Sequence, residues 1–329
     1  MGMKVLVVGA TGQVGSEVVR QLSQRGTTVR ALVRASSAYH HVRDLPGVEL
    51  AFGDLLRPET LGEALDGVDA VIATANGIAP RRRRDFGHVE TVGYPALIAA
   101  AERAGVDRFL YLSTVPMGAA DAHLPASQHK RAVEDALAAS TLSATVMRFG
   151  PFTDVWLALP GSSIPLAGMA PTMLDRPFRF LRVYRWMTGR TIERWGRMTV
   201  IGSPDRRLAT ITVHDVAAFL VAALEHDAAR DATYEIGGPE ALSWREIAAL
   251  YEDLLGREVR MTKLPPGPFR MLGWLLRPIA PAPANVLALN HVGALADMSM
   301  TGERLAAEFG VGPLQRPETF LKERYAAMA

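Results

Sequence analysis

KVLVVGATGQVGSEVV, residues 4–19, carries a run of β-branched and apolar residues up to Gly9, then places glycines at 12 and 15 before the pattern turns amphipathic. An apolar run of this kind suits a parallel strand buried on both faces. Gly9 permits the tight turn at the strand's end, Gly12 lets the backbone come close to a ligand, and Gly15 lets the following helix pack on the sheet. The N-terminus of that helix aims unpaired N–H groups and a positive dipole end at the turn. Such an environment suits a pyrophosphate. The spacing is Gly-x-x-Gly-x-x-Gly rather than the usual Gly-x-Gly-x-x-Gly, and its force comes from its place between a strand and a helix.

Working outward, the first half of the chain alternates strands and helices. Strands are predicted at 4–9, 28–34, 48–54, 70–75, 108–114 and 143–150, and helices at 13–25, 59–66, 86–104 and 127–139. Several helices stop at a glycine, Gly26 and Gly105 among them. Repeated βα units of this length predict an α/β fold, a Rossmann-type doubly wound parallel sheet with right-handed crossovers. Residues 1–155 are expected to form this nucleotide-binding domain. Residues 156–329 are expected to form a smaller C-terminal substrate lobe, with segments at about 208–238 returning to the sheet.

Composition narrows the class. A chain of 329 residues, 49% hydrophobic and with a formal charge of only +2, can bury one large core and a smaller one, and its diffuse excess of Arg and Lys does not argue for nucleic acid. Cysteine is absent, which excludes disulfides, thiolate catalysis and Cys-ligated metals. The first strand begins too early to leave room for a leader peptide, so a cytoplasmic location is expected. In the apolar stretch 268–296, Arg270, Arg277 and the prolines 278, 281 and 283 interrupt any run of about 20 residues that could span a membrane. Helices packed on the lobe, a pocket wall and a shallow membrane contact all remain compatible with it. A monomer or a homodimer is expected.

The second strand's end distinguishes the two dinucleotides. An NAD site presents an acid there for the ribose hydroxyls, whereas an NADP site offers Arg to the 2′-phosphate. No acidic residue occurs between Val18 and Arg43, and the strand ends on Arg34. NADP(H) is therefore the expected cofactor, with a small-molecule substrate as partner.

VLVVGATGQVG, ALVR, FGDLLRPETLGEALDGVDAVI, DRFLYLST, HKRAVEDAL, MRFGPF and ITVHDVAAFL occur in this order over roughly residues 3–240. Together they resemble an atypical short-chain dehydrogenase/reductase of the NmrA-like group, which also contains complex I 39-kDa-subunit-like and isoflavone-reductase-like proteins. The resemblance implies that Gly9, Thr11, Gly12, Gln13 and Val14 surround the pyrophosphate, with Gly15 in the same motif and Arg34 at the 2′-phosphate. It further implies Asp54 and Leu55 at the adenine, and Ala73, Thr74 and Asn76 along the ribose.

The catalytic set departs from that pattern. Ordinary short-chain dehydrogenases use a Ser after the fifth strand and a Tyr-x-x-x-Lys, the Lys lowering the Tyr pKa. Ser113 and Lys130 are present, but Ala126 stands where the Tyr belongs. Tyr111, in the strand, points to its buried interior and does not replace it. Three accounts of the gap stay open. Lys130 itself works as acid or base, or as a cofactor clamp, as in the isoflavone-reductase-like enzymes, with Ser113 orienting the substrate oxygen. Alternatively, His123 or His129 supplies the proton, although His129 is expected to point into solvent. In the third, no proton moves, and the protein is an NADP(H)-binding sensor, regulator or assembly factor. The first implies an NADPH-dependent reductase of a small apolar or aromatic carbonyl, enone or quinone-like compound.

Other features have bland readings. The run Arg81–Arg84 reads as a solvated loop or a cover over an anion. Asp215, beside His214, reads as an N-cap. Arg176, Arg179, Arg182 and Arg185, interleaved with aromatics, read as a lobe border.

Overall fold

The computed structural model describes residues 2–77, 85–168, 189–296 and 298–328. Seven parallel strands form the central sheet: β1 (Lys4–Val8), β2 (Thr28–Val33), β3 (Val48–Phe52), β4 (Ala70–Ala73), β5 (Arg108–Thr114), β6 (Ser143–Phe149) and β9 (Ala232–Ile236). Their order is β3-β2-β1-β4-β5-β6-β9, so the winding reverses between β1 and β4. That reversal opens a crevice at the strands' carboxyl ends, where doubly wound sheets bind ligands.

The alternation of side chains along β1 shows why both faces are covered. Val5 and Val7 pack with Val14, Val18, Val19 and Leu22 of α1 (Gln13–Gln24) and with Phe219 and Leu220 of the 213–222 helix. Leu6 and Val8 face the other way, onto Leu61 and Leu65 of α3 (Leu61–Leu65), Leu97 and Ile98 of α4 (Tyr94–Ala104) and Val133 and Leu137 of α5 (Pro125–Ala138). A short α2 (His40–Arg43) lies between β2 and β3. Each fully buried side chain of this kind contributes roughly 1.5–3 kcal/mol by removal from water.

One predicted helix differs in an informative way. The 86–104 pattern becomes a regular helix only at Tyr94, preceded by a π-helical turn at Val89–Gly93. Pro95 has no N–H to donate back to residue 91, so the α-ladder cannot extend continuously toward the N-terminus.

A second core of Leu157, Ile164, Ile192, Met198, Trp244, Ile247, Tyr251 and Phe320 lies under the C-terminal half. There β7 (Arg197–Ile201) pairs with β11 (Arg260–Leu264), and β8 (Arg207–Leu208) with β10 (Leu242–Ser243). Ser243 caps the 244–255 helix in a capping box with Glu246. Helices 267–276 and 281–293 form an antiparallel hairpin. Among the described residues, no helix is long and apolar enough to cross a membrane.

Candidate functional site

The crevice at the switch point is built around the Gly9 turn. Gly9 has φ +87°, and a Cβ there would lie 2.7 Å from the Ala75 nitrogen, so only glycine is accommodated. Gly12 donates its N–H to the Gly9 carbonyl at 2.8 Å and stands as the residue before α1. Gly15 serves packing: a Cβ on it would come within 2.1 Å of the Gly9 oxygen.

A groove runs from this turn and is lined by Gly9, Thr11, Gly12, Arg34, Asp54, Leu55, Thr74 and Asn76, together with residues the sequence reading did not name, Leu32, Ser37, Gly53, Ala75 and Val89 among them. The exposed Arg34 lies at its rim and makes no ion pair among the described residues. Asp54 turns its carboxylate back to accept the Leu56 amide at 3.0 Å. Thr74 donates its hydroxyl to the Val8 carbonyl at 3.0 Å, tying β4's end to β1. The other expected contacts lie outside this lining. Val14 and Ala73 are buried in the two faces' cores, Gly15 sits under the turn, and Gln13 lines a separate cavity with Glu17 and His214. A groove with a glycine-bounded turn, a helix N-terminus and a guanidinium unpaired among the described residues fits a phosphorylated dinucleotide.

Tyr111, Lys130 and Glu90 form a buried polar group against β4 and β5. Tyr111 sits opposite Ala73 in the ladder and packs edge-on against Tyr94, whose hydroxyl donates to the Ala75 carbonyl at 2.8 Å. Lys130, only 3% exposed, places its Nζ 5.3 Å from the centre of the Tyr111 ring and donates to the Leu112 carbonyl at 2.9 Å. Two of its three protons meet no partner among the described residues. Burial pushes this amine down to about 8, although Glu90 and Glu134 pull it upward. Burial also holds the Tyr111 phenol well above its ordinary range, so it stays protonated at neutral pH.

Glu90 went unnoticed in the sequence. It is 4% exposed, accepts the Gly77 amide at 2.7 Å through Oε1, and among the described residues leaves Oε2 without a donor; the Tyr111 hydroxyl is likewise unpartnered among them. The signal was its position four residues before Tyr94, on the apolar stripe that continues through Leu97, Ile98 and Ala101.

Three expectations change here. Ser113 does not open onto the groove: it is fully buried and donates its hydroxyl to Glu134 Oε1. Glu134 is one turn beyond Lys130 on the same buried face of α5, and it draws in Ser113, Arg131 and Arg148, the last at 2.6 Å, because a buried carboxylate needs donors. His129 is not free in solvent. Its ring fills the slot left by the missing side chain of Gly87 and packs 5.7 Å from Phe86. Similarly, the N-cap of the 213–222 helix is Thr212, with Asp215 its partner: Thr212 Oγ1 accepts the Asp215 amide at 3.2 Å. Arg81–Arg84 and Arg176, Arg179, Arg182 and Arg185 lie outside the described residues. No cluster of three or more metal-ligating side chains occurs among the described residues.

The profile of the NmrA-like family matches residues 1–298. The chain belongs to this family. Over 271 residues it is 29% identical to the photosystem II assembly factor Ycf39 of Synechocystis sp., covering 82% of this chain and 73% of that protein. The NAD(P)H azoreductase of Xenophilus azovorans is 30% identical over 257 residues, covering 78% and 75%. Among solved structures, an NADPH-dependent quinone oxidoreductase of Escherichia coli complexed with NADPH superposes with a TM-score of 0.70 at 22% identity, covering 98% of this chain and 99% of that one. The chain's relatives thus include both an azoreductase and an assembly factor.

Proposed function

We propose that this NmrA-like protein binds NADP(H) in the groove and reduces a small apolar or aromatic carbonyl, enone or quinone-like compound. The observation that carries this reading is Lys130: a buried amine with two protons unmatched among the described residues, set against Tyr111, the ladder partner of Ala73 at the end of β4. A structural lysine this deep would use its protons on carboxylates or carbonyls. Related reductases, the azoreductase and the quinone oxidoreductase, support the reaction class.

In this reading the backbone at Gly9–Gly12 and the first turn of α1 hold the pyrophosphate, and Arg34 holds the 2′-phosphate. When bound, the cofactor supplies a hydride to an electrophilic carbon. Lys130 holds a proton at Nζ, available near neutral pH because burial has lowered its affinity for it. Ser113 acts indirectly, by fixing Glu134, whose charge offsets part of the cost of burying Lys130. The test is NADPH consumption against a panel of quinones, enones and aromatic aldehydes, run beside calorimetric titration of NADPH.

A second reading is a cofactor-binding assembly factor or regulator without turnover. It is favoured by the absent Tyr at Ala126 and by the commitment of the Ser113 hydroxyl to Glu134, which takes that serine away from a substrate oxygen. NADPH binding at micromolar strength with no consumption against the panel would select it.

A further inference from the structure

A second concavity, about 630 Å³, lies between the 267–293 helical hairpin and the segment before α5. That volume falls in the range of ligand sites, about 300–1,000 Å³. Gly273 brings the two helices together, since a Cβ there would meet the Ala284 carbonyl at 3.2 Å. Arg270, Trp274 and Arg277 follow one helical stripe at the mouth, all three exposed, and Trp274 is 72% exposed. Neither arginine makes an ion pair among the described residues, and no Asp or Glu lines the cavity or occurs in the sequence between Glu258 and Asp297.

The rest of the lining is apolar apart from His123, His291, whose Nδ1 donates to the Pro266 carbonyl at 2.9 Å, and Asn285. Asn285 is 3% exposed, and its side-chain oxygen has no hydrogen-bond partner among the described residues. A buried amide oxygen is almost always satisfied, so one kept among alanines marks a place where something else brings the donor. Phe86, which lines the cavity, packs on His129, the neighbour of Lys130 on α5.

We propose that this cavity binds an apolar, aromatic or long-chain molecule that carries an anionic group and a hydroxyl or amide hydrogen. The anion sits between Arg270 and Arg277 at the mouth, the apolar body lies against Trp274, Met271 and Ala288, and Asn285 accepts the hydrogen inside. The assignment rests on the reductase reading only in making this molecule the substrate. Binding itself needs neither cofactor nor turnover.

Calorimetry on the full chain without NADPH, with 2-naphthoate, 6-hydroxy-2-naphthoate and the neutral 2-naphthalenemethanol as probes, tests it. Naphthoate should bind at least tenfold more tightly than the alcohol, and the R270Q/R277Q double variant, altered only at exposed positions, should abolish that preference. Asn285→Ala should remove the advantage of the hydroxyl-bearing acid over naphthoate. Equal affinity for acid and alcohol in the unaltered protein, or an unchanged preference in the arginine variant, overturns the proposal. Anion-selective binding without any NADPH consumption would sink the reductase reading alone, whereas NADPH consumption without anion selectivity would sink this one alone.

Discussion

Lys130 reaches across from α5 to the carbonyl of Leu112 on β5, at 2.9 Å, and so holds its amine beside the Tyr111 ring in the interior. A cation at this depth, lowered to about 8 by burial, is half-deprotonated within reach of physiological pH. Lys130→Met keeps most of the apolar stem and should lower turnover about 100-fold or more, the range expected for loss of a general acid, with NADPH affinity within a few-fold of normal. A parallel collapse of affinity would reassign the lysine to cofactor binding. Turnover abolished in His123→Ala or His129→Ala, with the Lys130 variant active, would show that a histidine holds the proton.

The same pKa sets a pH profile with a defined sign. A proton donor in reduction must be protonated, so kcat/KM for reduction should be level below pH 8 and fall as pH rises through about 8. The Lys130→Met variant should lose that limb. A profile flat from pH 7 to 10 in the unaltered enzyme would contradict the assignment.

Arg34 governs cofactor choice. A charge-assisted contact to a phosphate contributes on the order of 1.5–3 kcal/mol, so NADPH should bind at least tenfold more tightly than NADH. Arg34→Asp should invert the order. Equal affinities measured by titration would remove the basis for an NADP site.

Gly12 and Gly15 should respond differently. At Gly12 a Cβ meets only the Gly9 oxygen, at 3.1 Å, and would project at the groove; Gly12→Val should therefore abolish NADPH binding with circular dichroism little changed. Gly15→Val drives a branched side chain into the Gly9 carbonyl and should lower the thermal midpoint by several degrees. Retained NADPH affinity in Gly12→Val would place the cofactor elsewhere.

Glu17 and His214 tie α1 to the 213–222 helix through a 2.7 Å contact in which Nδ1 donates to Oε1. Burial opposes ionisation of Glu17, but hydrogen bonds from His214, Arg20 and Gln21 outweigh it and hold the carboxyl down at about 2. Chiefly through its bond to Glu17, His214 is raised above its ordinary 6.5. The depressed acid contributes stability that is complete above about pH 4.5 and lost as pH falls toward 2. The raised imidazole contributes stability that is complete below about pH 6.5 and lost as pH rises through its folded value. Denaturant melts should therefore show His214→Ala most destabilised relative to the parent at pH 5–6, with the gap narrowing by pH 9. A gap that widens with pH would refute the pairing.

Much of this was legible because it is local. The strand alternation, the stops at Gly26 and Gly105 and the glycine turn follow from backbone sterics and from side-chain periods of two and 3.6, which act over a few residues. Where the reading slipped, a partner distant in sequence decided the outcome. His129 looked solvated by helical phase, yet Gly87, far from it in the chain, leaves the slot that its ring fills. Ser113 looked like a substrate contact until Glu134 claimed its hydroxyl.

The sequence by itself determined the doubly wound sheet, the glycine turn and the residue at the second strand's end, because each depends on patterns and torsions carried within one βα unit. Only the tertiary structure decided what each polar group meets: that Lys130 is buried with two protons unmatched among the described residues, that Glu90 stands in the same interior, and that the Asn285 oxygen meets no donor among them. Desolvation and hydrogen-bond satisfaction are sums over everything nearby in space, and residues 77, 90, 112 and 130 become neighbours only when the crossovers close.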